Sequence, residues 1–278
     1  MGYQTIAIHL DSGPRCAARV ALAIELGRRY EGTLVGVAPT GLPDVTISMD
    51  TAVPDAIECV ALSAAALRDG AEAAAAAFEQ RCRDAGIAHR SSVVVGPVVD
   101  AVVRTARCSD LVVVAQSAGG WRVDGVPSDL PQQLVLQGGT PMLVVPPAGS
   151  FAAVGAKVLV AWKDTRECAR AVRDALPFLD DADDVTLVEL GELPLLGAAQ
   201  STIEAAAAWL RAHGVAVRVL RDPALGDVGE RLLSLAGELA CDLIVAGAYG
   251  HSRLREWALG GVTRELLQNA AVPVLLSH

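Results

Sequence analysis

The segment GAYGHSRLREWALGGVT, residues 247–263, carries the residue types and spacing most suited to chemistry in this chain. Gly247-x-x-Gly250 is followed, nine residues on, by Gly260 and Gly261. Glycine lets a main chain approach a ligand with no Cβ in the way. A helix that opens at Gly261 would add unpaired N–H groups and a partial positive charge, and together these hold phosphate. Thr263 offers a hydroxyl, and His251, Ser252, Arg253 and Arg255 stand beside the loop as further donors. By spacing this is a phosphate loop; the competing reading is a glycine-rich turn that only reverses the chain.

Other signatures are missing from the sequence. No two glycines are separated by a single residue, so the dinucleotide fingerprint G-x-G-x-x-G is absent. There is no Gly-Lys pair for a Walker loop and no G-x-S-x-G nucleophile elbow. No paired carboxylates or Ser-His-Asp order can be assembled from spacing, so no catalytic residue is assigned. The six cysteines, at 16, 59, 82, 108, 168 and 241, form no C-x-x-C pair and read as small buried hydrophobes with free thiols. Asp180, Asp181, Asp183 and Asp184 could face a metal but read better as a solvated loop.

The elements that must position the loop are legible from an internal repeat. TIAIHLDSGPRCAARVALAIELGRRY opens the first half and KVLVAWKDTRECARAVRDALPFL the second, aligning Asp11 with Lys163 and Cys16 with Cys168. Later, CSDLVVVAQ matches ACDLIVAGA, and TPMLVVPP matches VPVLLSH. The offset falls from 152 to 132, so the first half holds about 20 extra residues, placed in the Pro-containing excursion 40–63. We read domains at 1–148 and 155–278, joined by the short junction 146–157. Each half alternates strands and helices. In the second half the strands are VLVAW, DVTLVEL, VAVRVL, DLIVAG and PVLLS, with helices at 166–178, 200–213, 228–240 and 261–269. That alternation predicts an α/β fold: two tandem Rossmann-like domains, each a five-stranded parallel sheet with helices on both faces. AAALRDGAEAAAAAFEQRCRDAG is a long Ala-rich helix with a break at Gly70 as one option.

Composition sets the outer bounds. The 278 residues suffice for two domains. With 52% hydrophobic but 4% aromatic residues, Ala, Val and Leu must build the core. A net charge of -9 argues against nucleic-acid or anionic-membrane partners. No apolar run reaches the ~20 residues of a membrane helix, and no signal peptide is evident, which predicts a cytoplasmic protein.

The glycine loop, DLIVAG before it and VPVLLS after it resemble the nucleotide loop of the universal stress proteins. The Gly226-Asp227 pair and both opening turns fit the same pattern, and the resemblance spans nearly the whole chain as two copies. It implies an adenine nucleotide, ATP or AMP with Mg²⁺ as an option, bound in the C-terminal domain. The implied site comprises Ala161, Lys163 and Thr165 at the first turn, Leu190 beside the adenine, and Ala246, Gly247, Gly250, His251, Arg253, Gly260, Gly261, Val262 and Thr263 around the phosphates. The sequence departs from the family at two places: Lys163 replaces an Asp near ribose or metal, and Gly261 replaces a Ser or Thr.

The first half keeps Asp11 but has Ala115, Ala118, Ser128 and Asp129 where the glycines stand, and Pro131 in place of Thr263. Asp129 would repel a phosphate, so this half is expected to be nucleotide-empty. The implied role is a stress-response regulator or sensor without strong catalysis, hydrolysing ATP slowly at most. The alternative is a nucleotide-free dimerisation scaffold. An enzyme of the related adenine-nucleotide hydrolases is disfavoured, since neither S-G-G-x-D-S nor H-I-G-H occurs. The two copies are expected to pair as an internal pseudo-dimer, with a homodimer of chains as an option.

Overall fold

In a computed structural model, the described residues are 2–42, 54–116, 126–149, 151, 154–191, 202–223, 226–249 and 260–278, with side chains from 62 onward in the helix that starts at 54. Contacts group them into two compact units, Gly2–Thr140 and Pro141–His278.

The N-terminal unit runs β1 (Thr5–His9), α1 (Cys16–Tyr30), β2 (Thr33–Pro39), α2 (Pro54–Ala85), β3 (His89–Val94), α3 (Val98–Ala106), β4 (Leu111–Ala115) and α4 (Leu130–Gln137). Its strands lie in the order β3-β2-β1-β4, all parallel. The continuous apolar runs IAI and LVVV are buried on both faces, as central parallel strands must be. Helix α1 turns Val20, Ala23, Ile24, Leu26 and Tyr30 inward at helical spacing. Helix α2 runs through Gly70 without a break. One glycine costs a helix about 1 kcal/mol, which a buried stripe of Ala71, Ala75, Phe78 and Cys82 outweighs.

The C-terminal unit holds β5 (Met142–Val145), β6 (Lys157–Trp162), α5 (Arg166–Asp174), α6 (Leu176–Asp180), β7 (Asp184–Leu190), α7 (Thr202–Ala212), β8 (Val217–Asp222), α8 (Val228–Glu238), β9 (Leu243–Gly247), α9 (Gly261–Asn269) and β10 (Val274–Ser277). Five strands are parallel in the order β10-β9-β6-β7-β8. The sixth, β5, closes against β10 in the antiparallel sense, Leu275 facing Leu143. The sequence repeat assigns this strand to the first copy, whereas its contacts group it with the second unit. Every residue of β5 and β10 is buried.

The single helix expected over 166–178 is two, parted at Ala175, because Pro177 lacks the N–H that would continue the ladder. The fold class is the expected one: α/β, largely parallel, with helices crossing between strands.

The corresponding strands β1 and β6 are fastened in the same way. Asp110 accepts from the Thr5 N–H at 2.8 Å. Its counterpart Asp242 accepts from the N–H groups of Gly155, Ala156 and Lys157, each at 3.0 Å. No helix among the described residues is long and apolar enough to cross a membrane.

Candidate functional site

Strand order reverses around β6. The chain goes out through β7 and β8, then returns on the other side of β6 with β9 and β10. The crevice beyond the carboxyl ends of β6 and β9 is where an open α/β sheet takes a ligand. Ala161 and Trp162 end β6; Ala246 and Gly247 end β9. Leu190 ends β7 and is half-buried. Thus Ala161, Leu190, Ala246 and Gly247 share one edge, reached by the turn of Lys163 and Thr165. Lys163 is exposed, and its carbonyl accepts from Thr165 N–H at 2.7 Å.

The helix starts of this unit differ. At α5 the Thr165 hydroxyl accepts from Cys168 N–H at 3.3 Å. At α8 the Asp227 carboxylate accepts from Gly229 and Glu230 N–H groups, at 2.8 and 3.1 Å, so the Gly226-Asp227 pair is a helix cap. Helix α9 opens on Gly260 with no side chain to cap it. Its first ladder donor is Arg264, bonded to Gly260 O at 3.1 Å. The N–H groups of Gly261, Val262 and Thr263 precede that donor and are the orphans of the first turn. A Cβ on Gly260 or Gly261 would meet no atom of the described residues within 4 Å.

Gly247 is a different kind of glycine. A Cβ there would lie 2.5 Å from Cys168 N and 2.6 Å from Glu167 C, main-chain atoms of α5. Its side chain is excluded by the neighbouring helix, so β9 and the start of α5 can touch. Thr263 is only 4% exposed, and its oxygen accepts from Tyr249 N–H at 3.4 Å. It ties the two ends of the glycine segment together from the inside. Tyr249 holds a left-handed backbone, φ 62°, with its ring edge-on to His278. Gly250, His251, Arg253 and the adjoining Ser252 and Arg255 lie outside the described residues, as does Ala118.

Two features at this edge were not read from the sequence. Trp162 is half-buried at the end of β6, and its indole N–H donates to Thr202 Oγ1 at 3.1 Å. Its place next to Lys163 was the available signal. Glu167 is buried beside Gly247, and Arg166 Nε donates to it. Burial opposes the Glu167 charge, but the Arg166 hydrogen bond and charge, with bonds from Glu167's own N–H and Thr165, outweigh it and hold this carboxyl below its usual range.

In the N-terminal unit Asp11 is engaged. Arg19 Nη2 donates to it at 2.8 Å and Gly13 N–H at 2.9 Å, and Arg19 also bonds His9 O. The repeat places Lys163 at the Asp11 position and, by the same offset, Ala171 at the Arg19 position, so the second copy has neither member of the pair. Asp129 is the first residue before α4, Pro131 lies in its first turn, and Gln133 donates to the Asp129 carboxylate at 3.0 Å. No cluster that could hold a metal occurs among the described residues, the acidic run 180–184 included.

Residues 156–278 match the model of the universal stress protein family. A universal stress protein from Archaeoglobus fulgidus DSM 4304 superposes with a TM-score of 0.72 at 14% identity, covering 98% of this chain and 95% of that one. A functionally unknown protein from Pseudomonas aeruginosa PAO1 superposes with a TM-score of 0.62 at 13% identity, covering 99% and 92%. At such identities the likeness is one of fold. No curated protein matches the chain. The family model and the fold agree: residues 156–278 are a domain of the universal stress protein family.

Proposed function

We propose that the C-terminal domain binds an adenine nucleotide, ATP or AMP, in the crevice beyond β6 and β9, and that the protein acts as a stress-response regulator rather than an efficient catalyst. The observation that carries the reading is the uncapped start of α9. Two neighbouring helices spend a side chain on their first N–H groups, while α9 begins on Gly260 and Gly261, whose Cβ positions meet no atom of the described residues. Phosphate would supply the missing cap, with the orphan N–H groups and helix dipole both favouring its charge. Leu190 and Ala161 provide apolar surface for the base, and exposed Lys163 can reach a phosphate where a carboxylate would have met ribose or Mg²⁺. The N-terminal domain serves as a nucleotide-free partner, since Asp129 sets a carboxylate at the equivalent helix start.

Thermal unfolding of the full chain with ATP and AMP, with and without Mg²⁺, tests this. A ligand of the native state at a hundred times its Kd adds about 2.7 kcal/mol and raises Tm. Gly261→Asp should leave the unliganded Tm in place and remove the shift, because the new carboxylate competes for the α9 N–H groups. Lys163→Asp should make the shift depend more strongly on Mg²⁺. No shift at millimolar nucleotide would leave the scaffold reading standing, which Lys163 favours.

A further inference from the structure

Phosphate at α9 and a base beside Leu190 set the path of a nucleotide across the sheet edge. In the order β9-β6-β7 neighbouring strands lie about 4.8 Å apart, so β9, which leads toward α9, is about 10 Å from β7. A ligand that joins the two crosses the end of β6. Trp162 is the last residue of that strand and is half-buried.

Register and hydrogen bonding show which way its ring leans. Trp162 pairs with Glu189 on β7, and Ala161 with Val188. Paired residues share a face of the sheet and successive residues alternate. Ala161, Val188 and Leu190 therefore project from one face, Trp162 and Glu189 from the other. The indole N–H donates at 3.1 Å to Thr202 Oγ1, on the first residue of α7, which packs against β7 and β8. The ring thus leans from β6 across the end of β7, and the strand ends carry apolar surface on both sides of the sheet plane. The indole nitrogen is the one strong hydrogen-bonding atom of a Trp side chain, and it only donates. Thr202 takes it, so the remainder of the ring offers hydrocarbon and π surface alone. The first unit differs here. Leu10 precedes Asp11 as Trp162 precedes Lys163, and Leu10 is 1% exposed. The unit expected to be empty closes this strand end with a core leucine; the other places a half-exposed indole there.

We propose that Trp162 recognises the base, stacking its ring on the adenine of the bound nucleotide, and that Thr202 is the positioning residue that holds the indole for it. This rests on nucleotide binding in the C-terminal domain and adds to it the source of base recognition. Offset stacking suits two flat ring systems whose polar edges are engaged elsewhere. Phosphate is held at α9 and the base at Trp162, so the two contributions separate in experiment.

The test is calorimetric titration of the full chain with ATP and, as a base-free probe, inorganic tripolyphosphate. Trp162→Ala should weaken ATP about tenfold or more, the scale of one base–aromatic stack, and leave tripolyphosphate as in the parent. Trp162→Phe should keep most of the ATP affinity, since a smaller ring still stacks. Thr202→Val, which frees the indole, should weaken ATP by less than Trp162→Ala, and Thr202→Ser should return it to the parent value. ATP should also change tryptophan emission less in Trp162→Phe than in the parent, because Trp121, Trp209 and Trp257 remain. The proposal is overturned if Trp162→Ala binds ATP as tightly as the parent, or more tightly, which would mean that the ring fills the seat of the base. It is also overturned if Trp162→Ala weakens ATP and tripolyphosphate alike, since the loss would then have nothing to do with the base. In each of these outcomes nucleotide binding itself stands. A parent that binds neither ATP nor tripolyphosphate would instead sink the nucleotide reading, and base recognition with it.

Discussion

At the scale of single residues, the glycines of the C-terminal domain divide by what excludes their side chains. Gly247 is pressed against the backbone of α5, and backbone cannot step aside as a flexible side chain can. Gly247→Ala should therefore cost about 1–3 kcal/mol, as overpacking does. Gly261→Ala, with no atom of the described residues within 4 Å of its Cβ, should leave stability almost unchanged. Chemical denaturation of both variants checks the pair; equal midpoints would remove the distinction. Glu167, packed beside Gly247, adds a pH signature. Its folded pKa is depressed, so its stabilisation is present above the unfolded carboxyl value and fades as pH falls through the folded one. Glu167→Gln should be less stable than the parent at pH 7, and the gap should narrow as pH falls below the ordinary carboxyl range. The sequence showed where glycines cluster but not what each one meets. Gly247 and Gly260 look alike in a motif; only the packing of α5 tells them apart. Asp11 likewise reads as a ligand residue until Arg19, eight residues on, is seen to hold it.

Elements were legible where local chemistry decides them. Strand β7 and helix α9 fall where periodicity and the Gly260-Gly261 start place them. Strand β8 lies two residues later than its apolar pattern suggests, at Val217–Asp222 rather than 215–220. Pairing extends it: Arg221 sits opposite Glu189 on β7 and forms an ion pair with it at 3.7 Å. An apolar count cannot see a strand end held by charges. The aspartates before β4 and β9 were visible as a repeated Asp, and their job became clear only as three N–H groups converged on Asp242. Removing that acceptor leaves the start of β6 unsatisfied. Asp242→Ala should lower stability by about 1–3 kcal/mol, and amide exchange at Gly155, Ala156 and Lys157 should quicken more than at the centre of β6. Uniform acceleration across the strand would instead mean global destabilisation with no local fastening.

At the scale of the whole chain, duplication let two copies of one architecture drift apart at their strand-end edges. One copy has the Asp11–Arg19 pair and an acidic helix start at Asp129; the other has Lys163, Ala171 and a glycine helix start. Scaffold features survive in both, as Asp110 and Asp242 show. The strand that closes the first copy decides how the chain can be cut. The repeat suggests a C-terminal domain beginning at 155, yet β5, residues 142–145, covers the edge of β10 through three paired positions. Val274, Leu275 and Leu276 are all buried, and an unpaired apolar edge is a template for another strand. A fragment of 141–278 keeps its cover, whereas 155–278 loses it. In sedimentation velocity the longer fragment should remain the smaller species as concentration rises, and the shorter one should self-associate through antiparallel β10 edges. Because β10 lies beside β9, which leads into the glycine segment, both fragments should still respond to nucleotide if the edge alone has changed. A shorter fragment that stays monomeric at all concentrations would mean that β5 is dispensable as a cover, and that its grouping with the C-terminal unit has no energetic weight.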